Sequence, residues 1–130
     1  MKLSDVVKGL VFHVPMLDRS VKHAHVVISD PDSLDHVMVV NMTTGEYLSG
    51  DGDSRCVLLP GEHRSVHHKT RILYSRAREM TRKHIVSGIE QQVFDLDSES
   101  ATPDLLKKIQ AGALDNDVLP IKLEKYFPLF

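Results

Sequence analysis

Residues 36–42, HVMVVNM, decide how this chain reads. The run is continuous, rich in valine and of strand rather than helix length, which marks a buried strand over His36–Met42. Working outward, Asp30-Pro31-Asp32 just before it is a turn signal. Gly45, Gly50 and Gly52 just after it place a loop over Thr43–Asp53. Upstream, His25–Ser29 (HVVIS) and Val11–Val14 read as strands, joined through Pro15 and the polar stretch Asp18–Lys22. Downstream, Cys56–Leu59 is a short strand stopped by Pro60-Gly61. Thr70–Ser75 (TRILYS) alternates, with Ile72 and Tyr74 on one face and Arg71 and Leu73 on the other. Ile85–Phe94 is expected to hold one more strand around Val93.

The pattern then changes. Thr102-Pro103-Asp104 starts a helix, with Thr102 as N-cap and Pro103 in the first helical position. Leu105, Leu106, Ile109 and Leu114 recur at helical spacing, and Asp115–Asp117 ends the segment. The tail Leu119–Phe130 carries Leu123, Tyr126, Phe127, Leu129 and Phe130, apolar surface that needs burial in this domain or on a partner. Short strands followed by one helix give an α+β chain, mainly β, most simply a small curled antiparallel sheet with a C-terminal helix.

A length of 130 residues predicts a single domain over 1–130 with its own core. Hydrophobic residues at 42% and charged residues at 26% place it among ordinary globular chains. The single cysteine, Cys56, excludes an intramolecular disulfide and fits a reducing compartment. The N-terminal MKLSDVVKGLVFHV lacks a signal-peptide core, and no run approaches the roughly 18 apolar residues of a membrane helix. The expectation is a cytoplasmic protein without a membrane partner.

Charge is concentrated rather than spread. The chain is near neutral at −2, yet Glu62–His84 holds seven Lys/Arg and four His against two acids. Such a stripe presents one face to phosphate, and its imidazoles can move protons near neutral pH.

Three blocks resemble the MazF/PemK family of toxin ribonucleases from bacterial toxin–antitoxin modules. His23–Ser29 (HAHVVIS) is similar to the family's Arg-Pro-x-Val-Val-Leu-Ser strand. Val40–Thr44 (VNMTT) is similar to its strand ending in a Thr pair, and Arg71–Arg78 (RILYSRAR) to its late strand and turn. The resemblance spans about residues 9–114. It implies a small SH3-like antiparallel barrel (about 9–95) with a C-terminal helix (about 103–114), ahead of the apolar tail 119–130. It also implies single-stranded RNA as substrate, an antitoxin protein and a second copy of the chain as partners, and no metal or other cofactor. The family's catalytic Arg and Thr fall on His23 and Thr43; Thr43 matches, while His23 replaces the Arg and Ala24 the Pro after it.

Cleavage by an internal 2′-hydroxyl needs a base, an acid and a cation for the crowded phosphate. His23 and His25, two apart on a strand, face one side and are the candidate acid/base pair. Thr43 offers a hydroxyl to a phosphate oxygen, and His63 and His67 in the basic stripe are candidate partner acids. Arg64, His68, Lys69 and Arg71 are candidate RNA-backbone contacts, joined by Arg76 and Arg78 from the third block. His13, His36 and His84 read as structural or surface groups.

Two other functions compete. The same surface suits a non-catalytic SH3-like module binding protein or RNA. A His23-x-His25 pair with His63, His67 or His68, joined by Cys56, suits a metal-dependent hydrolase. Against the metal, the chain has neither a Cys-x-x-Cys pair nor a His-Glu-x-x-His motif. Gly50-Asp51-Gly52 lacks the helix and Lys of a phosphate loop, and Asp30, Asp32 and Asp35 read as a solvated turn. Aromatic residues at 5%, with no Trp, argue against a base-stacking sheet of the common RNA-binding kind.

Overall fold

The computed structural model describes residues 1–15, 22–44 and 55–130. Of the loop expected over Thr43–Asp53, Thr43 and Thr44 are instead the end of a strand, and residues 45–53, with most of the polar stretch 18–22, lie outside the described residues. The strands are β1 (Val11–Pro15), β2 (Lys22–Val27), β3 (His36–Thr44), β4 (Val57–Leu58), β5 (Thr70–Ile72), β6 (Arg78–Thr81) and β7 (Asp95–Leu96). The helices are α1 (Arg82–Glu90) and α2 (Pro103–Ala113), with short 3-10 segments at Leu3–Asp5 and Tyr74–Arg76 and a longer one at Ile121–Leu129.

All pairings are antiparallel, in the order β4-β5-β3-β2-β1-β7, with β6 also on β3. The α+β, mainly β expectation therefore holds. The barrel does not close, because the order ends at β4 on one side and β7 on the other. His36–Met42 forms the centre of β3, which reaches Thr44 and pairs with three strands: β6 at His36–Val39, β2 at Val39–Asn41 and β5 at Met42–Thr44.

Period-two alternation divides the chain between two cores. One face carries Val26, Ile28, Met38, Val40, Met42 and Ile72, covered by Leu105, Ile109 and Ala113 of α2 and by Leu123 and Tyr126 of the tail. Leu123 and Tyr126 of the tail are thus buried on this chain's own sheet, with Phe127, Leu129 and Phe130 packed partly buried against the same cluster. The other face carries Phe12, Val27, Val37, Val39 and Met80, covered by Ile85, Val86 and Phe94.

Helix α2 starts where the sequence placed it: the Thr102 hydroxyl accepts from the Leu105 amide, with Pro103 following. The strand expected within Ile85–Phe94 around Val93 does not form: α1 runs to Glu90, and Val93 lies in the bend after it. The Thr81 hydroxyl caps the His84 amide, and Ile85, Val86 and Ile89 fall on one helical face, with Ile85 and Val86 buried. Packing against Val37 and Met80 outweighs the strand preference of those β-branched residues. The next strand is the two-residue β7 at Asp95–Leu96. The third block, Arg71–Arg78, expected as a strand and turn, ends where a further strand, Arg78–Thr81, begins and completes the β3 ladder. The Asp30–Asp35 segment is a turn whose Asp32 carboxylate accepts the amides of Leu34 and His36, both at 2.9 Å.

Candidate functional site

Register alone assembles the site. Directly opposed residues of antiparallel strands share a face. One row therefore runs Val14, His23, Thr43, Arg71: Val14 pairs with His23, Thr43 pairs with Arg71, and the Thr43 hydroxyl lies 3.5 Å from His23 Nδ1. The next row is Phe12, His25, Asn41 and the third is Val27, Val39, Arg78. The face grades from apolar under α1 to polar at the end that carries His23, Thr43 and Arg71.

The geometry fixes what each imidazole can do. His25 is buried, stacks on Phe12 with ring centroids 5.7 Å apart, and donates its Nδ1–H to the His23 carbonyl at 2.9 Å. That donation leaves Nε2 as the acceptor nitrogen. Burial pushes the ring down to a pKa of about 4, with the Arg78 cation adding to the effect, so His25 is neutral at pH 7. His23 is half-buried, and its contact with Thr43 is at the long limit of a hydrogen bond. Such contacts commonly tighten only when a substrate is bound. Thr43 is 5% exposed and its oxygen also accepts from Asn41 Nδ2 at 3.1 Å. With Nδ1–H donated to that same oxygen, Nε2 is the acceptor nitrogen of His23 and can serve as a base.

Asn41 was not singled out by the sequence. Its side chain is buried between His25 and Thr43, and Asn41 Oδ1 has no hydrogen-bond partner among the described residues. A polar residue inside an otherwise apolar strand run was the available signal. Orphaned buried acceptors are uncommon in folded proteins.

The basic stripe divides. Arg71 is half-buried in the His23–Thr43 row, and Arg78 is exposed one row beyond His25. His67, His68 and Lys69 are exposed on the segment leading into β5, and Arg76 is exposed on the 3-10 turn after it. His63 has a different place. It is 2% exposed, its Nδ1 accepts the Ser65 amide at 3.0 Å, and its Nε2–H donates to the Glu99 carbonyl at 2.8 Å. Both ring nitrogens are occupied by backbone, so His63 pins a loop and leaves the acid/base set.

A second polar cluster, also missed in the sequence, belongs to the same clip. Asp97 Oδ2 accepts from Ser65 Oγ and His13 Nε2, each at 2.8 Å, while Oδ1 accepts the Glu99 amide at 2.9 Å. Arg64 bonds the Ser98 hydroxyl, with its Nε 3.6 Å from Asp97. Although burial raises the Asp97 pKa, the hydrogen bonds from His13, the Glu99 amide and Ser65 outweigh it, and the net shift is downward. One nitrogen of His13 contacts both Ser65 and Asp97, at 3.4 and 2.8 Å. A Ser-His-Asp relay needs the two opposite nitrogens of the ring, so this cluster is a structural fastener between the basic loop and the segment after β7.

Among the described residues no group of three or more His, Cys, Asp or Glu side chains has metal-holding geometry. No helix among them is long and apolar enough to cross a membrane. No family model, no curated protein and no solved structure matches this chain.

Proposed function

We propose that the chain is a toxin-like endoribonuclease that cleaves single-stranded RNA by acid/base chemistry without a metal. The observation that carries the reading is the 3.5 Å approach of Thr43 to His23 on the polar half of the sheet face, with Arg71 opposite Thr43 in the same row. His23 Nε2 takes the proton of a 2′-hydroxyl, whose oxygen attacks the adjacent phosphorus. The P–O5′ bond breaks, leaving a 2′,3′-cyclic phosphate and a 5′-hydroxyl, and the departing oxygen is protonated from solvent or from the exposed His67. Arg71 and Arg78 supply the permanent cations for the phosphate charge, the work a His at position 23 cannot do. Thr43 acts chiefly through His23, holding its ring by the Nδ1 side. In a toxin–antitoxin module, an acidic antitoxin segment occupies the same face in the neutralised state.

The test is cleavage of end-labelled single-stranded RNA in the presence of a chelator. Expected products carry cyclic phosphate ends, and His23→Ala lowers the rate by about 100-fold or more, the usual worth of one acid/base group. Equal cleavage by wild type and His23→Ala refutes the assignment. RNA binding without any cleavage favours the non-catalytic module instead.

A further inference from the structure

Strand β6 pairs with β3 alone, so one of its edges is open. The hydrogen bonds of β3 show which backbone groups lie on that edge. Opposite Glu79, Met38 donates its amide to Ser29 Oγ at 2.8 Å and accepts the Ile28 amide at 3.0 Å, both on the β2 side. Opposite Thr81, His36 donates its amide to the Asp32 carboxylate and accepts the Asp32 amide, each at 2.9 Å. Neither residue turns its backbone toward β6. The Arg82 amide does reach the Asp35 carbonyl, at 3.0 Å, and sets the phase. The backbone of Arg78 and Met80 points at β3, and that of Glu79 and Thr81 points away from it. Glu79 N–H, Glu79 C=O and Thr81 N–H therefore have no partner among the described residues. A cleft of about 420 Å³ runs beside them, lined by His36, Arg78, Glu79, Met80, Thr81 and His84.

The charges around this edge are one-sided. Arg78 and Met80 point toward α1, while Glu79 and Thr81 lie on the face of Met38. Arg76, Arg78 and Lys83 are exposed and pair with no carboxylate among the described residues, and His84 is exposed beside Lys83. The nearby carboxylates are already engaged. Glu79 Oε2 accepts the Tyr126 hydroxyl at 2.6 Å and lies 3.2 Å from Lys125; Asp35 pairs with Arg82 at 2.6 Å; Asp32 holds the amides of Leu34 and His36. The edge thus offers a row of strand-spaced donors and an acceptor, flanked by cations that nothing neutralises.

We infer that the open edge of β6 is a docking site for an acidic, extended segment of a partner protein. The segment adds a strand by bonding Glu79 and Thr81, and sets acidic side chains at alternate positions against Arg78. A peptide backbone supplies both the acceptor that Glu79 and Thr81 N–H need and the donor that Glu79 C=O needs, whereas a phosphate chain supplies acceptors only. A second copy placed edge to edge would bring Arg76, Arg78 and Lys83 of both chains together, which like charge disfavours. The site is a backbone edge outside the His23 row, so the inference stands whether or not the chain cuts RNA.

The test is titration of the full chain with an end-capped Asp-Val-Asp-Val-Asp-Val peptide, followed by amide NMR shifts, hydrogen exchange and calorimetry, against the same peptide with Lys for Asp. Expected are shifts centred on Glu79 and Thr81, slowed exchange of those two amides, and about 10-fold tighter binding of the acidic peptide, weakening as salt is raised. Arg78→Ala narrows that preference. Thr81→Pro deletes one outward donor at a residue whose φ of −72° already suits proline. It weakens the acidic peptide about 5-fold, the worth of one net hydrogen bond. Thr81→Ala loses the same helix cap but keeps the amide, and binds as wild type does. If Thr81→Pro fails to fold, the exchange of the Glu79 and Thr81 amides in the wild type decides. Equal binding of the two peptides, equal binding by Thr81→Pro and wild type, or amides left unprotected overturns the inference. A dimer that protects the same amides without peptide also overturns it, by giving the edge to a second copy. A chain that cuts RNA but binds no peptide sinks the docking site and spares the ribonuclease; one that binds the peptide here but cuts no RNA does the reverse.

Discussion

Lowering the pH through the range of an ordinary histidine removes stability through His25. In the fold its pKa is pushed to about 4 by burial; in the unfolded chain it returns to 6.5. Between those values the unfolded chain binds a proton that the native protein refuses, so stability falls as pH falls and is fully present only above the unfolded value. Each pH unit within the window is worth about 1.4 kcal/mol, so the loss from pH 7.5 to 5 is about 2 kcal/mol. The range is chosen to stop at pH 5. Asp32, Glu62, Glu79 and Asp97 also have lowered values, and their stabilisation is lost only as pH falls below the unfolded carboxylate range near 4. The assay is urea unfolding at half-unit pH steps for wild type and His25→Gln, whose amide still donates to the His23 carbonyl but does not titrate. The chain has eight histidines, so the decisive quantity is the difference in slope between the two proteins. Parallel curves from pH 7.5 to 5 would refute the argument that burial keeps this ring neutral.

Two further substitutions separate packing from chemistry. His63→Ala removes a buried ring and two backbone partners, costing about 3 kcal/mol; Tm by calorimetry is expected to fall by about 10 °C, while the RNA-cleavage rate of the folded protein is retained. A loss of cleavage with Tm unchanged contradicts the fastener role. Gly112→Ala raises helix propensity by about 1 kcal/mol, yet its Cβ would lie 2.2 Å from the Tyr74 hydroxyl and 3.2 Å from Cys56 Cβ. Tyr74 is fully buried and donates to the Ile109 carbonyl at 2.7 Å, so overpacking and the strained bond outweigh propensity by about 2 kcal/mol. A variant as stable as wild type in urea denies that α2 sits this closely on the sheet.

The parts of the fold that were legible are those written in local pattern. His36–Met42 declared a buried strand, and Thr102-Pro103 declared a helix start, because alternation and capping act within a few residues. Helix α1 was hidden because Ile85, Val86 and Ile89 are strand formers individually, and only the sheet face beneath them rewards the helical arrangement. Nor was it legible that the histidines separate. His23, His25 and His63 are similar residues in sequence, but a chance of register stacks His25 on Phe12, and a loop 36 residues from Glu99 brings His63 onto its carbonyl. Asn41 escaped notice for the converse reason: within an apolar run it reads as an exception, and its meaning comes from the His25 and Thr43 neighbours that pairing supplies.

On the ribonuclease reading, a histidine in the Arg position changes what the surrounding rows must provide. A guanidinium at position 23 would neutralise phosphate at every pH, whereas an imidazole there gives up that role to gain a base. The cation must then come from neighbours that share the face, and among the described residues antiparallel register places two there: Arg71 in the same row and Arg78 two rows along. Their positions also explain why His25 is a poor second acid. It lies in the row between them, buried against Phe12 and next to the Arg78 charge, and both influences favour its neutral form. The two strand histidines thus have opposite fates through depth alone. His23, at the half-open end, keeps a nitrogen for substrate, while His25, one row toward α1, holds the His23 carbonyl in place. Replacing His25 with Gln should therefore change the pH dependence of stability far more than the rate of cleavage, and a large loss of rate with the slope intact would reverse the roles assigned to the pair.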